Sequence, residues 1–360
     1  MNRYRQILNS IPERSGEESS TADYLIAHFR SKACDYLYTN LGGYGILACF
    51  KGVDNGPSIM FRAEMDAVDV DGTVAHLCGH DGHMAILLEL SDILNLNREF
   101  RGEVWLLFQP AEENGSGAKI MAKEIDDLGI KFDYSFAIHN SPGYSSDNII
   151  IFPKVYAAAS VGVELFFKGR SSHAAFPEEA ISPCGAIFKI INWLDEINKQ
   201  DYNEDNFILG TVVGVEIGDS NFGVTPGWGY LRVTLRANSD DNLNSLVDRL
   251  IYFSESAIEN DDILMEIKYY DRFPATVNCS NANSIVKRSV DSVGLKTIIA
   301  KEPSRGSDDF AFFALYSSAS FFDIGNGVLS KGLHHINYNF DDSVIESALK
   351  IYKNIIYKTT

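Results

Sequence analysis

Apolar and polar positions along this chain alternate in two rhythms. Ala22, Leu25, Ile26 and Phe29 recur at helical spacing, with Ser15 and Glu18 at capping-box spacing ahead of them, so a helix is expected there after a shorter one at the start. Strand-like runs follow at 45–50 (GILACF) and 58–65 (SIMFRAEM), then a helix over 84–96. The run 104–109 (VWLLFQ) is nearly all apolar and too short for a helix, which reads as a buried strand that Pro110 ends. A helix over 115–128 and a strand over 134–138 continue the alternation, which argues for an α/β architecture with a largely parallel sheet.

Past residue 158 the rhythm changes. Residues 161–168 alternate like a half-exposed strand; a helix near 180–197, strands at 207–217 and 228–237, a helix over 241–258 and a strand at 263–270 follow. The order β-α-β-β-α-β is ferredoxin-like. The helix–strand alternation resumes from about residue 274. The expected architecture is an α/β domain (1–158 and 275–360) built on a mixed sheet, interrupted by a smaller α+β domain (159–274).

A chain of 360 residues exceeds what one hydrophobic core usually serves, which agrees with two domains. The net charge of −18 repels phosphates and anionic lipid heads, so neither nucleic acid nor membrane is an expected partner. Five scattered cysteines give no disulfide framework, and neither a signal peptide nor a membrane span is recognisable, so a reduced cytoplasm is the expected location.

The chemistry-bearing residues gather in four segments at predicted strand ends: His76–His83 (HLCGHDGH), Gln109–Glu113 (QPAEE), 138–140 (IHN) and 332–335 (GLHH). Imidazole, thiol and carboxylate together suit Zn²⁺ or Mn²⁺ better than Ca²⁺ or Mg²⁺. Each feature alone has a plain structural reading: a hydrogen-bonded histidine, a small buried cysteine, a solvated glutamate pair. Two adjacent glutamates directly after a buried strand are nevertheless costly without a cation beside them. His28 falls on the polar side of its helix and reads as a surface residue.

In order and spacing, the segments FRAEMDA, HLCGHDGHMA, FQPAEE, AIHN and GLHH resemble the signature of the M20 metallopeptidases, in the branch of aminoacylase-like and auxin-conjugate amidohydrolases. GRSSHAAFP, GSDDFAFF and FFDIGNG support the match, which runs over nearly the whole chain. The resemblance implies a two-metal catalytic domain with Cys78, His80, Glu113, His139 and His334 as ligands to Mn²⁺ or Zn²⁺. It implies Glu112 as general base, and a lid histidine, His173, that reaches the active site of a neighbouring subunit in a homodimer. Asp81 or Glu64 would orient a ligand, and Arg236 would clamp a substrate carboxylate through its guanidinium fork.

The sequence departs from the family pattern at Glu64, where an Asp is usual, and at Gly223, where an Asn is usual, so a substrate hydrogen bond would fall to Asn221. The expected activity is cleavage of the amide of an N-acyl amino acid or a related small amide. The alternatives are a dipeptidase or aminopeptidase on the same scaffold, a thiol amidase with Cys78 as nucleophile and His80 or His83 as base, and a catalytically silent ligand-binding relative.

Overall fold

In the computed structural model, residues 1–199, 206–259 and 261–359 are described. The chain divides into two compact units. The first is Met1–Tyr156, Thr276–Lys301 and Asp308–Thr360, and the second is Ala157–Ala275 with Glu302–Ser307. The short Glu302–Ser307 segment, which the alternation places with the first unit, packs with the second because Ser307 donates to the Ala158 carbonyl at 2.7 Å and accepts from Arg236 at 2.9 Å.

The first unit is built on an eight-stranded mixed sheet. Its order is Tyr36–Leu41, Gly45–Lys51, Arg101–Gln109, Asp54–Glu64, Tyr134–Ser141, Ser318–Gly325, Asn148–Ile151 and Lys296–Ile299. The three strands from Arg101–Gln109 to Tyr134–Ser141 run parallel, as does Ser318–Gly325 beside them, while both flanks include antiparallel pairs. The central strands are apolar without alternation because both faces are covered. Helices His80–Leu96, Ser280–Ser292 and Ser343–Thr359 pack on one another over a core that includes Phe61, Leu87, Phe136, Val286 and Tyr352.

The second unit is a four-stranded antiparallel sheet ordered Ile208–Ile217, Trp228–Ala237, Ala159–Lys168, Leu264–Phe273. In chain order that is 2-3-1-4, the ferredoxin-like arrangement. Trp228–Ala237 alternates strictly between buried and half-buried residues, so one sheet face is packed and the other open. Helices Cys184–Asn198 and Asp240–Ile258 cover the packed face through Ile187, Ile190, Leu194, Leu243, Leu246 and Leu250. Ser239 caps the second helix by accepting the Asn242 N–H at 3.2 Å. No described helix is long and apolar enough to cross a membrane.

Candidate metal centre

Three adjacent parallel strands end at one edge of the first unit's sheet, where ligand sites of α/β folds form. Glu64 and Gln109 face each other as the last residues of theirs, and Glu112 and Glu113 follow in the next turn. His139 lies inside the strand Tyr134–Ser141, which runs past the expected end at 138. Helix His80–Leu96 starts within the HLCGHDGH segment rather than after it. Gly79, at φ +93°, turns the chain directly into the helix, so His80, Asp81 and His83 ride on its rigid first turn.

Side chains from these elements converge. Ligand atoms of Cys78, His80 and His139 lie within 4.8 Å of one another, and so do those of Cys78, Glu113 and His334. Cys78 belongs to both triads. His80 Nδ1 donates to the Asp66 carbonyl at 2.9 Å, and His139 Nδ1 to the Asn140 carbonyl at 2.9 Å. Each ring is thereby held with Nε2 turned inward. His139 Nε2 is 3.4 Å from the Cys78 sulfur. His80 Nε2 and Glu113 Oε1 are buried without any hydrogen bond and stand 3.8 Å apart. Glu113 Oε1 is also 3.3 Å from His334 Nε2. Buried polar atoms are rarely left unpaired, and here they face a space lined by metal-binding groups. The donor set of thiolate, imidazole and carboxylate fits Zn²⁺ or Mn²⁺.

The electrostatics show the same demand for positive charge. Burial alone would lower His80, but its bond to Asp66 and the charges of Glu64 and Glu113 raise it to about 10. Burial, then Asp308, Glu113 and Asp309, pushes the Glu112 carboxyl well up, and its Oε2 is 3.8 Å from His80 Nε2. His334 sits at φ +61° with its N–H on the Leu77 carbonyl at 2.9 Å. Such strain in a non-glycine residue persists only where its surroundings hold it, and it clusters at functional sites.

Residues 60–358 match peptidase family M20/M25/M40. The chain belongs to this family. It is 25% identical to the N-acetylcysteine deacetylase of Bacillus subtilis, over 98% of this chain and 94% of that one. It is 26% identical to the hippurate hydrolase of Campylobacter jejuni, over 98% and 95%. The fold superposes on the Bacillus subtilis YxeP protein, described as a dinuclear metal-binding peptidase of family M20, with a TM-score of 0.83, 23% identity and coverage of 98% and 95%. As a member of M20 the chain is a metal-dependent hydrolase of the amidohydrolase and peptidase class.

Several expectations need correction within this M20 site. Asp81 orients no ligand: its carboxylate accepts from Arg5 Nε and Asn9 Nδ2, each at 2.9 Å. The residue holding His80 is Asp66, by its carbonyl and by Oδ1 at 3.5 Å from Nδ1. Asp66 also accepts from the Glu113 N–H at 2.9 Å and from Ser15 Oγ at 2.7 Å. It was legible as the second acid of FRAEMDA but went unassigned. Glu64 reaches His83, at 2.8 Å, and contacts Arg62. Ser15 and Glu18 form no capping box; helix Ser19–Arg30 starts later, with Glu18 as its N-cap. His28 is half-buried, edge-on to Tyr4 and Phe29, with Nε2 2.8 Å from Ser91 Oγ. The imidazole in contact with the Cys78 sulfur is His139, not His80 or His83. Burial and then Glu113, Glu112 and Glu64 push the thiol well up, while burial lowers His139. Neither shift is that of a thiol activated as a nucleophile by a neighbouring imidazolium.

His173, Asn221 and Arg236 belong to the second unit. Exposed His173 pairs with Val224 in a two-residue ladder, and its Nδ1 accepts the Ala175 N–H at 3.0 Å, leaving Nε2–H as a donor. The Asn221 side-chain oxygen accepts the Gly223 N–H at 2.9 Å, a local turn. Arg236 Nη1 donates to the Arg305 carbonyl at 3.0 Å and to Ser307 Oγ at 2.9 Å, and the guanidinium has no carboxylate partner among the described residues.

Proposed function

We propose that this hydrolase cleaves the amide bond of N-acyl amino acids at a centre of two divalent ions, Zn²⁺ or Mn²⁺. The observation that carries this reading is the pair of triads sharing Cys78, with the His80 Nε2 buried and unpartnered and the His139 Nε2 turned to the Cys78 sulfur. Cys78, His80 and His139 would hold one ion, and Cys78, Glu113 and His334 the other. Ions bound there supply Lewis acidity, polarising an amide carbonyl and bringing the pKa of a water towards neutrality.

Glu112 is the proton carrier. Its carboxyl stands beside the ligands, and its pKa is raised by burial and neighbouring acids, which suits a group that takes a proton from water and passes it to the leaving amine. Glu64 acts behind it by holding His83 and Arg62. In the second unit, His173 offers Nε2–H to a developing oxyanion, contributed by the partner copy of a homodimer. Arg236, free of carboxylates, receives the amino acid's carboxylate, with Asn221 beside the peptide portion. The N-acyl class is supported by the activities named for the B. subtilis and C. jejuni relatives.

The test is elemental analysis with hydrolysis of N-acetyl and N-benzoyl amino acids and dipeptides, before and after chelation. About two ions per chain and chelator-reversible release of an acyl amino acid's amine are expected. Glu112→Gln should abolish turnover while metal stays bound. Substantial residual hydrolysis in that variant, or full activity without metal, would refute the assignment.

A further inference from the structure

Glu18 occupies the N-cap of helix Ser19–Arg30, where a polar side chain ordinarily accepts the helix's first free amides. It makes no such bond. Glu13 does so in its place, accepting the N–H groups of Ser20 at 2.9 Å and Thr21 at 2.8 Å. The Glu18 side chain is turned instead into the protein, with no exposed surface. One oxygen, Oε1, accepts two amides: Gly16 N–H at 2.9 Å and Ala111 N–H at 2.8 Å. The other, Oε2, is buried without a partner. Burial raises this carboxyl, while the amides of Gly16 and Ala111 act the other way.

Ala111 immediately precedes Glu112 and has φ +52°, a conformation that a non-glycine residue keeps only where its neighbours impose it. Both sides of Ala111 are held. Its carbonyl accepts the N–H groups of Ser116 and Gly117, each at 3.2 Å, and its N–H is held by Glu18. The direction in which Glu112 and Glu113 leave the strand Arg101–Gln109 depends on that left-handed residue.

We propose that Glu18 is a positioning residue for the hydrolytic reaction: its Oε1 locks Ala111 in the left-handed conformation and thereby aims Glu112. The inference rests on the reading of Glu112 as proton carrier. It requires an acceptor oxygen at this position but no negative charge, and it acts through the backbone of residue 111.

Three variants separate this role from a general structural one. E18M keeps the volume and loses the acceptor; kcat per bound metal should fall about tenfold or more, with KM nearly unchanged. E18Q keeps an acceptor oxygen and should recover most of that loss. E18M/A111G should also regain activity relative to E18M, because glycine adopts positive φ without the Cβ penalty. Wild-type kcat in E18M, equal losses in E18Q and E18M, or no recovery in the double variant would each overturn the inference. Amide hydrogen exchange at Ala111 reads the bond independently of turnover. Protection should be high in the wild type and E18Q and lost in E18M. If E112Q proves active, the proton-carrier reading fails while this exchange pattern still decides whether Glu18 holds the turn. If E18M does not fold, Ala111 exchanging in the wild type as fast as an exposed loop amide would overturn the lock, and slow exchange there and in E18Q would support it.

Discussion

The guanidinium of Arg62 lies 3.1 Å from the carboxylate of Asp309, and neither side chain has any exposed surface. Arg62 also meets Asp308 at 3.1 Å and Gln109 Oε1 at 2.8 Å, and it contacts Glu64. Asp309 in turn accepts from Gln109 Nε2 at 2.7 Å and from the Ala118 N–H at 3.1 Å. One buried cation thus ties two strand ends, the Asp308–Asp309 loop and, through Asp309, a helix start beneath Glu112. Burial pushes Asp309 up to about 8 despite Arg62, with Asp308 adding to the rise. Removing the cation leaves several buried acids uncompensated, so Arg62→Met should cost about 3–5 kcal/mol, read by urea unfolding. Arg62→Lys should recover only part, because an ammonium cannot match the planar fork. A stable Arg62→Met protein would show that the acids are already protonated in the fold.

Gly79 sits between the two proposed ligands Cys78 and His80 at φ +93°. A Cβ there would come within 2.2 Å of Asn140 Oδ1 and 2.8 Å of Tyr338 Oη. Both the dihedral and the space exclude a side chain. Gly79→Ala should lower the thermal midpoint and, more sharply, the metal content per chain. Normal metal loading with a lowered midpoint would mean that the helix start can shift without disturbing Cys78 and His80.

Much of this arrangement was legible in the chain. Residues 228–237 alternate so cleanly that the strand's limits are those expected, and the runs 58–65 and 104–109 mark two of the strands that carry the site, observed as Asp54–Glu64 and Arg101–Gln109. The failures have local causes. Ser15 and Glu18 carry capping-box spacing, but tertiary partners claim both, Asp66 for Ser15 and Ala111 for Glu18, and spacing carries no information about partners distant in sequence. The helix at His80 starts early because a positive-φ glycine, not a polar cap, begins it. Asp81 stands beside His80 in sequence, yet it points to Arg5 of the first helix, a pairing across 76 positions. The role of Asp66 leaves no mark in the sequence because its main contact with His80 is a backbone carbonyl, which any residue type has.

His28 gives the fold a pH dependence away from the metal centre. Burial, then Lys32, lowers it to about 4 from 6.5, and Arg3 acts in the same direction while Asp92 opposes it. Ser91 Oγ donates to the Leu88 carbonyl, so His28 Nε2 is the donor to Ser91, a role either protonation state fills, and it is burial beside Lys32 that favours the neutral ring. The unfolded chain therefore binds the proton first as pH falls. This contribution is complete above 6.5 and is lost between 6.5 and about 4. The thermal midpoint should drop more between those limits in the wild type than in His28→Gln. Parallel curves for the two proteins would place the acid sensitivity elsewhere.

The sharing of Cys78 between the two triads has a consequence for metal counting. His139 belongs only to the triad with Cys78 and His80, and His334 only to the triad with Cys78 and Glu113. If the sulfur serves both ions, His139→Ala and His334→Ala should each lower the content by about one ion per chain, while Cys78→Ala should lower it by about two. Identity should shift as well as number. Thiolate favours Zn²⁺, and a carboxylate at the same place favours harder cations, so Cys78→Asp should move the preference from Zn²⁺ towards Mn²⁺ in a competition experiment. Content by elemental analysis of the four purified proteins decides between the arrangements. A Cys78→Ala protein that loses only about one ion would assign the sulfur to a single ion and leave the other held by imidazole and carboxylate alone.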